Sequence, residues 1–149
     1  MDDITLRKIN FKDLLLIYDW FNDKDSIQFK IKTKNKIMFK EHKIWFRDFF
    51  KKKAGEIWII KYKDIDIGNI RLNKLKNKIY DIDIFLEKEF RGSKVASKAL
   101  MIMEKKLIKG SVIHSNVKKI NTKSFKFFIK NNFKLHHSNK EIWFLRKNI

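Results

Sequence analysis

The chain has no cysteine, which excludes disulfides and thiolate metal sites. Proline is also absent. No apolar run approaches the roughly 18 residues that a membrane-spanning helix needs, so no membrane partner is expected. The opening residues, Met1-Asp2-Asp3, are acidic and carry no signal-peptide pattern, which makes the cytoplasm the expected compartment. What the chain does have is apolar and cationic. Its 149 residues suit one domain, 1–149, with a single sizeable core, and a 44% hydrophobic content excludes a wholly disordered chain. With 14 Phe and 4 Trp, the core and any pocket should be rich in aromatic rings. The net charge of +19 resembles a nucleic-acid signal, but only 5 of the 36 basic residues are Arg, and the lysines run along the whole chain. Together with abundant Ile, Asn and Phe and the missing Pro, this reads as a residue bias in which Lys solubilises the surface. Nucleic acid is therefore not the expected partner, although a basic surface attracts anionic small molecules.

Periodicity orders the elements. Ile4 to Ile9 reads as a strand. Asp13 to Asp23 reads as a helix, with Leu14, Ile17, Tyr18 and Phe21 at helical spacing, and Phe39 to Lys53 as a second. Asp25 to Met38 shows no clear period and suits a short helix and a loop. Glu56 to Tyr62 reads as a strand, and Asp64 to Gly68 as a turn into a second strand that ends near Leu72, with a hairpin-like turn at Asn73 to Asn77. The next strand, Lys78 to Leu86, alternates cleanly: Tyr80, Ile82, Ile84 and Leu86 on one face, Asp81, Asp83 and Phe85 on the other. A helix is expected from Lys94 to Lys109, ended by Gly110, then a strand from Ser111 to Val117. Asn121 suits the N-cap of a helix through Lys130, and Asn131-Asn132 can supply a left-handed C-terminal residue. Phe133 to His137 and Glu141 to Arg146 read as closing strands. The order is β-α-α-β-β-β-α-β-α-β-β, a mixed α/β (α+β) fold. The β-α-β step implies one parallel pair with a right-handed crossover.

That step contains Arg91-Gly92-Ser93-Lys94-Val95-Ala96-Ser97. A small-residue turn that opens a helix presents unpaired N–H groups at the positive end of the helix dipole, and so forms an anion site.

The segment Arg91 to Ala96 resembles the Arg/Gln-x-x-Gly-x-Gly/Ala acetyl-CoA signature of the GNAT acetyltransferases. Asn121-Thr122-Lys123-Ser124-Phe125-Lys126-Phe127-Phe128, continued to Phe133, is similar to that family's Asn-x-x-Ala/Ser-x-x-x-Tyr-x-Lys-x-Gly-Phe segment. Asp19-Trp20-Phe21-Asn22-Asp23 and Phe39-Lys40-Glu41-His42-Lys43-Ile44-Trp45-Phe46 resemble segments of GNATs that acetylate UDP-linked 4-amino-4,6-dideoxy sugars. The resemblance implies a central mixed, mostly antiparallel twisted sheet with a splayed parallel strand pair and helices on both faces. It implies acetyl-CoA as acetyl donor, no metal, and a small-molecule amine acceptor, here a nucleotide sugar; a homodimer is left open. The departures are Lys94 at a signature glycine, where a non-glycine residue favours negative φ and a slightly different loop; Phe128 at the usual acid tyrosine; Asn132 at the helix-ending glycine; and Phe21 at the Arg of the sugar subfamily.

The same resemblance assigns roles. Main-chain groups near Ile84, Phe85 and Leu86 would pair with the pantetheine arm, and one N–H near Ile84 or Phe85 would polarise the thioester carbonyl. The N–H groups from Arg91 through Gly92, Ser93, Lys94, Val95 and Ala96 to Ser97 would cradle the pyrophosphate, with Asn121 and Phe128 beside the cofactor. Asp81 is the first choice for the base that takes the amine proton, with His42 and His114 behind it. Without a tyrosine at 128, the thiolate proton would come from solvent, Ser124 or Tyr80. Trp20, Asn22, His42, Trp45 and Asp83 are the acceptor-binding candidates. Two other readings use the same residues: a GNAT that acetylates a protein or peptide amine, and a non-catalytic basic module that binds nucleic acid.

Overall fold

The computed structural model describes residues 3–31 and 35–149. The segment expected to be irregular, Asp25 to Met38, lies partly outside the described residues, at positions 32–34; its start forms the short helix α2, Lys24–Ile27. The strands are β1 Ile4–Lys8, β2 Gly55–Tyr62, β3 Ile65–Lys76, β4 Ile79–Leu86, β5 Val112–Lys118, β6 Lys134–Ser138 and β7 Ile142–Asn148. The longer helices are α1 Leu14–Phe21, α3 Phe39–Lys52, α4 Val95–Glu104 and α5 Thr122–Lys130. The sheet runs β1-β2-β3-β4-β5-β7-β6, and every neighbouring pair is antiparallel except β4–β5. The mixed, mostly antiparallel sheet with one parallel pair is thus the observed architecture.

The two faces of the sheet bury two cores. On one, Ile70, Leu72, Ile82, Leu86 and Ile113 pack with Val95, Ala99, Leu100 and Met103 of α4 and Phe128 of α5. On the other, Ile57 and Ile59 pack with Ile17, Trp20 and Phe21 of α1 and Phe46 and Phe49 of α3, with Phe85 alongside. The alternation of β4 creates this division, because Ile82 and Leu86 point one way and Phe85 the other. Among the described residues no helix is long and apolar enough to cross a membrane.

Local signals set the helix ends. Asn10 and Asp13 form a capping box around the 3-10 turn that leads into α1. The buried Asp13 is gripped by Arg7 through bonds of 2.9 and 2.8 Å, and the same guanidinium reaches Asp66 at 2.8 Å, which ties β1 to the β2–β3 hairpin. Asn121 caps α5 by accepting the Ser124 N–H at 3.2 Å, and Asn132 takes the left-handed conformation (φ 68°) after the helix.

Three boundaries differ from the sequence expectation. Asp64 to Gly68 is mostly strand, because β3 already begins at Ile65 and pairs there with Tyr62 of β2. The turn expected at Asn73 to Asn77 is shorter and later, at Asn77 and Lys78, because β3 continues to Lys76 with an irregularity between Lys74 and Lys76. The polarity of the run reflects exposure at the sheet end, and Lys78 makes the reversal at φ 58°. Helix α4 stops at Glu104, not Lys109. Lys106 N–H and Leu107 N–H bond three residues back, to Met103 O and Glu104 O, so the last turn tightens and ends the helix. Lys147 Nζ holds Glu104 at 2.7 Å, and Gly110 (φ 89°) turns the chain into β5.

His42 and His114 are both held below the usual imidazole value near 6.5. Burial is the main cause in each case, reinforced at His114 by Arg146 and His136. A depressed native value means that the unfolded chain binds protons first, so this contribution is fully present above about pH 6.5 and is lost as pH falls through the native values. The urea midpoint is expected to drop between pH 7.5 and pH 5; a flat or rising midpoint contradicts the burial of these rings as neutral groups.

Candidate active site

The β4–β5 contact covers Ile79↔Val112, Tyr80↔Ile113 and Asp81↔His114, then ends although both strands continue, to Leu86 and Lys118. Beyond Asp81 and His114 the strands part and leave a cleft. Which main-chain groups face it follows from ladder phase. Glu87 N–H donates to Ile67 O at 2.9 Å, on the β3 side. Antiparallel ladders alternate, so Phe85, Asp83 and Asp81 turn their main-chain groups to β3, whereas Leu86, Ile84 and Ile82 turn theirs away. Two contacts check this phase from the other side. Val112 N–H donates to Lys78 O at 2.8 Å, and Arg91 Nε donates to Leu86 O at 2.8 Å. Ile82, Ile84 and the Leu86 N–H therefore line the cleft. Phe85 is a correction: its N–H and C=O belong to the β3 ladder, and only its ring enters the α1–α3 side.

The turn that follows β4 sits at the mouth of the cleft. Arg91 is extended (φ −73°, ψ 146°), Gly92 is left-handed (φ 77°), and Lys94, at the N-cap of α4, is left-handed too (φ 65°, ψ 2°). Lysine has thus taken the glycine conformation, contrary to the negative φ expected for it. No side chain caps α4, so its first N–H groups point into the turn unspent. Ser93 Oγ donates to Phe90 O at 2.6 Å and fixes the turn. The Arg91 side chain is structural: besides Leu86 O it reaches Asp23 at 3.1 Å and Asp25 at 3.6 Å, binding the turn to α2. An unspent strand edge leading to an uncapped helix N-terminus fits a ligand with an amide-bearing arm and a pyrophosphate. Because a left-handed lysine costs about 1–2 kcal/mol relative to its relaxed conformation and glycine gives part of that back as chain entropy, Lys94→Gly is expected to stabilise the fold by about 1 kcal/mol. The urea midpoint reads this directly.

The other wall is built by cross-strand rows, since register partners share a sheet face. One row runs Asn73, Asp81, His114, Arg146. The next runs Ile57, Arg71, Asp83. Asp81 and His114 therefore stand side by side where the strands begin to part, on the face covered by α1 and α3. Arg71 Nη2 meets Asp83 at 3.2 Å, and its guanidinium carbon lies 4.8 Å from the Phe21 ring centre and 5.8 Å from that of Trp45. Lys30 donates to Phe21 O, and its ammonium sits 5.0 Å from the same Phe21 ring. Burial lowers its pKa, while Asp83 pulls it up and Arg71 pushes it down. Phe21, Ile37, His42, Trp45 and Arg71 enclose a pocket of about 110 Å³.

A profile for the acetyltransferase (GNAT) domain matches residues 3–134. The chain belongs to the GNAT acetyltransferase family. No curated protein matches it at the sequence level. Among solved structures, a domain from Methanocaldococcus jannaschii DSM 2661 is 22% identical with a TM-score of 0.79, and the match covers 98% of each chain. RimL, the ribosomal L7/L12 α-N-protein acetyltransferase, solved in complex with coenzyme A, is 14% identical with a TM-score of 0.84, covering 100% of this chain and 96% of that one. Spermidine N-acetyltransferase from Vibrio cholerae, in complex with CoA and spermine, is 15% identical with a TM-score of 0.80, covering 99% and 96%. At these identities the likenesses describe the fold. As a GNAT, the protein is an acetyl-CoA-dependent N-acetyltransferase.

The remaining GNAT positions fall as follows. Asn121 and Ser124 form the start of α5, where Asn121 is spent as the cap. Phe128 is 4% exposed, 4.9 Å from Phe133 in the α4–α5 core, and a phenyl ring has no proton to give. Ser97 Oγ accepts from Asn131 Nδ2 at 3.0 Å and joins α4 to α5, which leaves its main chain for the turn. Trp20 is a core clamp: Nε1 donates to Glu87 at 3.0 Å, and its ring lies 5.7 Å from Phe85. Asn22 brackets Ile37, donating to its C=O at 3.1 Å and accepting its N–H at 2.7 Å, and so shapes the pocket wall from outside. Tyr80 sits just before the parting point and lines a second cavity of about 380 Å³ with Lys8, Lys53 and Lys74. Arg71, Lys30 and Ile82 are the site residues that the sequence reading missed. Arg71 carried a signal: one of only five arginines in a lysine-rich chain, set between the strand residues Ile70 and Leu72.

Proposed function

We propose that the acceptor is the primary amine of a nucleotide-linked sugar, of the UDP-4-amino-4,6-dideoxy class. The observation that carries this reading is the acceptor wall itself. The two segments that resemble nucleotide-sugar GNATs, 19–23 and 39–46, deliver Phe21, His42 and Trp45 to one pocket, beside Arg71 and Lys30. Aromatic rings interleaved with two cations suit a sugar carrying a diphosphate. The same cations, on a chain of net charge +19, repel a polyamine.

In this reading, acetyl-CoA supplies the electrophilic thioester carbonyl and a thiolate leaving group. Ile82, Ile84 and the Leu86 N–H bind its amide arm as an added strand, and the N–H groups of the 92–97 turn bind its pyrophosphate. The Ile84 N–H faces the cleft and serves as the donor to the carbonyl oxygen, because Phe85 N–H is committed to β3. Asp81 receives the amine proton directly or through one water, so that a neutral amine attacks. His114, kept neutral by burial, stands next to it as a second acceptor for that proton. Water or Ser124 returns a proton to the thiolate.

Thiol release from acetyl-CoA tests the acceptor, with a UDP-4-amino-4,6-dideoxy sugar, a short peptide with a free N-terminus and spermidine compared at equal concentration. The nucleotide sugar is expected to give the highest kcat/KM by a wide margin. A higher value for the peptide moves the acceptor to a protein amine, the reading that a fold shared with the L7/L12 acetyltransferase favours.

A further inference from the structure

His42 is 1% exposed and its two ring nitrogens do different things. Nε2 lies 2.9 Å from Leu14 O. A carbonyl only accepts, so Nε2 carries the hydrogen. Burial disfavours the imidazolium, which leaves Nδ1 as a bare acceptor. Nδ1 is buried and has no hydrogen-bond partner among the described residues, and the same holds for Arg71 Nε, which can only donate. Both residues line the 110 Å³ pocket, together with Phe21, Ile37 and Trp45. An acceptor and a donor thus share one small aromatic-walled space. Arg71 is held in place by Asp83 and by the Phe21 and Trp45 rings, and His42 stacks on Trp45 at 5.8 Å.

We infer that this pocket receives a hydroxyl group of the acceptor, which donates to His42 Nδ1 and accepts from Arg71 Nε. The chemistry discriminates. A carboxylate offers nothing to Nδ1. An ammonium offers nothing to Arg71 and meets its charge. A methyl group leaves both buried nitrogens unsatisfied, which carries the full desolvation cost. Asp83, the partner of Arg71, is two residues from Asp81 on the same face of β4, about 7 Å along the strand. Base and pocket therefore lie within reach of one small acceptor, an amino alcohol whose hydroxyl enters the pocket while its amine meets Asp81. The inference rests on the proposed acceptor class for its sugar form. The same chemistry also occurs at an N-terminal serine.

The test compares matched pairs: the UDP-4-amino-4,6-dideoxy sugar against its 3-deoxy analogue, and serinamide against alaninamide. In the wild type the hydroxylated member is expected to win by roughly 100-fold in kcat/KM, since a site built to hydrogen-bond a hydroxyl rejects the analogue without it. In Arg71→Lys, which keeps the charge but loses the fixed donor, the ratio between the two members is expected to fall to a few-fold, whatever the change in the overall rate. The nitrogen-15 resonance of His42 Nδ1 gives a readout independent of turnover. It is expected to shift when the hydroxylated acceptor is added and to stay in place with the deoxy analogue. If the sugar pair is turned over without discrimination, the hydroxyl pocket is wrong and the nucleotide-sugar reading stands. If neither sugar reacts and serinamide is preferred over alaninamide, the pocket stands and the sugar reading falls. Equal rates within both pairs with an unmoved Nδ1 resonance overturn the inference outright.

Discussion

Replacing Asp81 with Asn is expected to lower kcat by roughly 10²–10⁴-fold, the range for losing a positioned proton acceptor, with acetyl-CoA affinity unchanged. The two effects separate because Asp81 contributes to the two sides of the site differently. Its main-chain groups face β3 and do not touch the cofactor edge, whereas its side chain lies on the α1–α3 face beside His114. Asparagine preserves shape and cannot take a proton. Steady-state kinetics together with calorimetric binding of CoA read the two effects independently. A loss of CoA affinity with kcat intact would place Asp81 in the cofactor scaffold and hand the base role to His114.

Gly68→Ala is expected to cost about 3 kcal/mol or more and to weaken CoA binding in proportion. Gly68 lies in β3 directly opposite Leu86. A Cβ there would stand 2.1 Å from Phe85 O and 2.9 Å from the Leu86 side chain. The first contact is with backbone, which cannot swing aside, so the outer half of β4 must move. That half presents Ile84 and Leu86 to the cleft. Urea denaturation gives the stability change and calorimetry the affinity. An alanine variant of unchanged stability and affinity contradicts the rigid β3–β4 frame assigned to the cleft.

What could be read from the sequence followed how locally each feature is encoded. The alternation of Tyr80 to Leu86 is a period-2 pattern, and its two faces became the walls of two different cores. Asn121, Asn131 and Asn132 fixed both ends of α5 because caps are decided within a few residues. The 91–97 turn was visible for the same reason. Its backbone was not: sterics favoured a negative φ for Lys94, yet the tertiary frame holds it at φ 65°. Left-handed positions in this chain fall to lysine repeatedly, at Lys53, Lys63 and Lys78 as well. Features that depend on partners distant in sequence were hidden. Whether Phe85 or Ile82 faces the cleft depends on ladder phase, set by Glu87 against Ile67. Arg71 and Lys30 became site residues only when β3, α1 and the segment after α2 met. In a chain with five arginines, those at 7, 71 and 91 all bond carboxylates of other elements, Arg7 reaching Asp66 and Arg91 reaching Asp23 across the fold. A flat guanidinium holds such geometry where a lysine would not.

The parted β4 edge and the turn at the start of α4 are proposed here to form one cofactor site. Amide hydrogen exchange, followed with and without CoA, tests it most directly. New protection at Ile82, Ile84 and Leu86 together with the amides from Gly92 to Ser97, and little change around Lys8, Lys53 and Lys74, is the expected result. Protection confined to the lysine-lined cavity at the other end of the strands, or no protection at either stretch at saturating CoA, contradicts it.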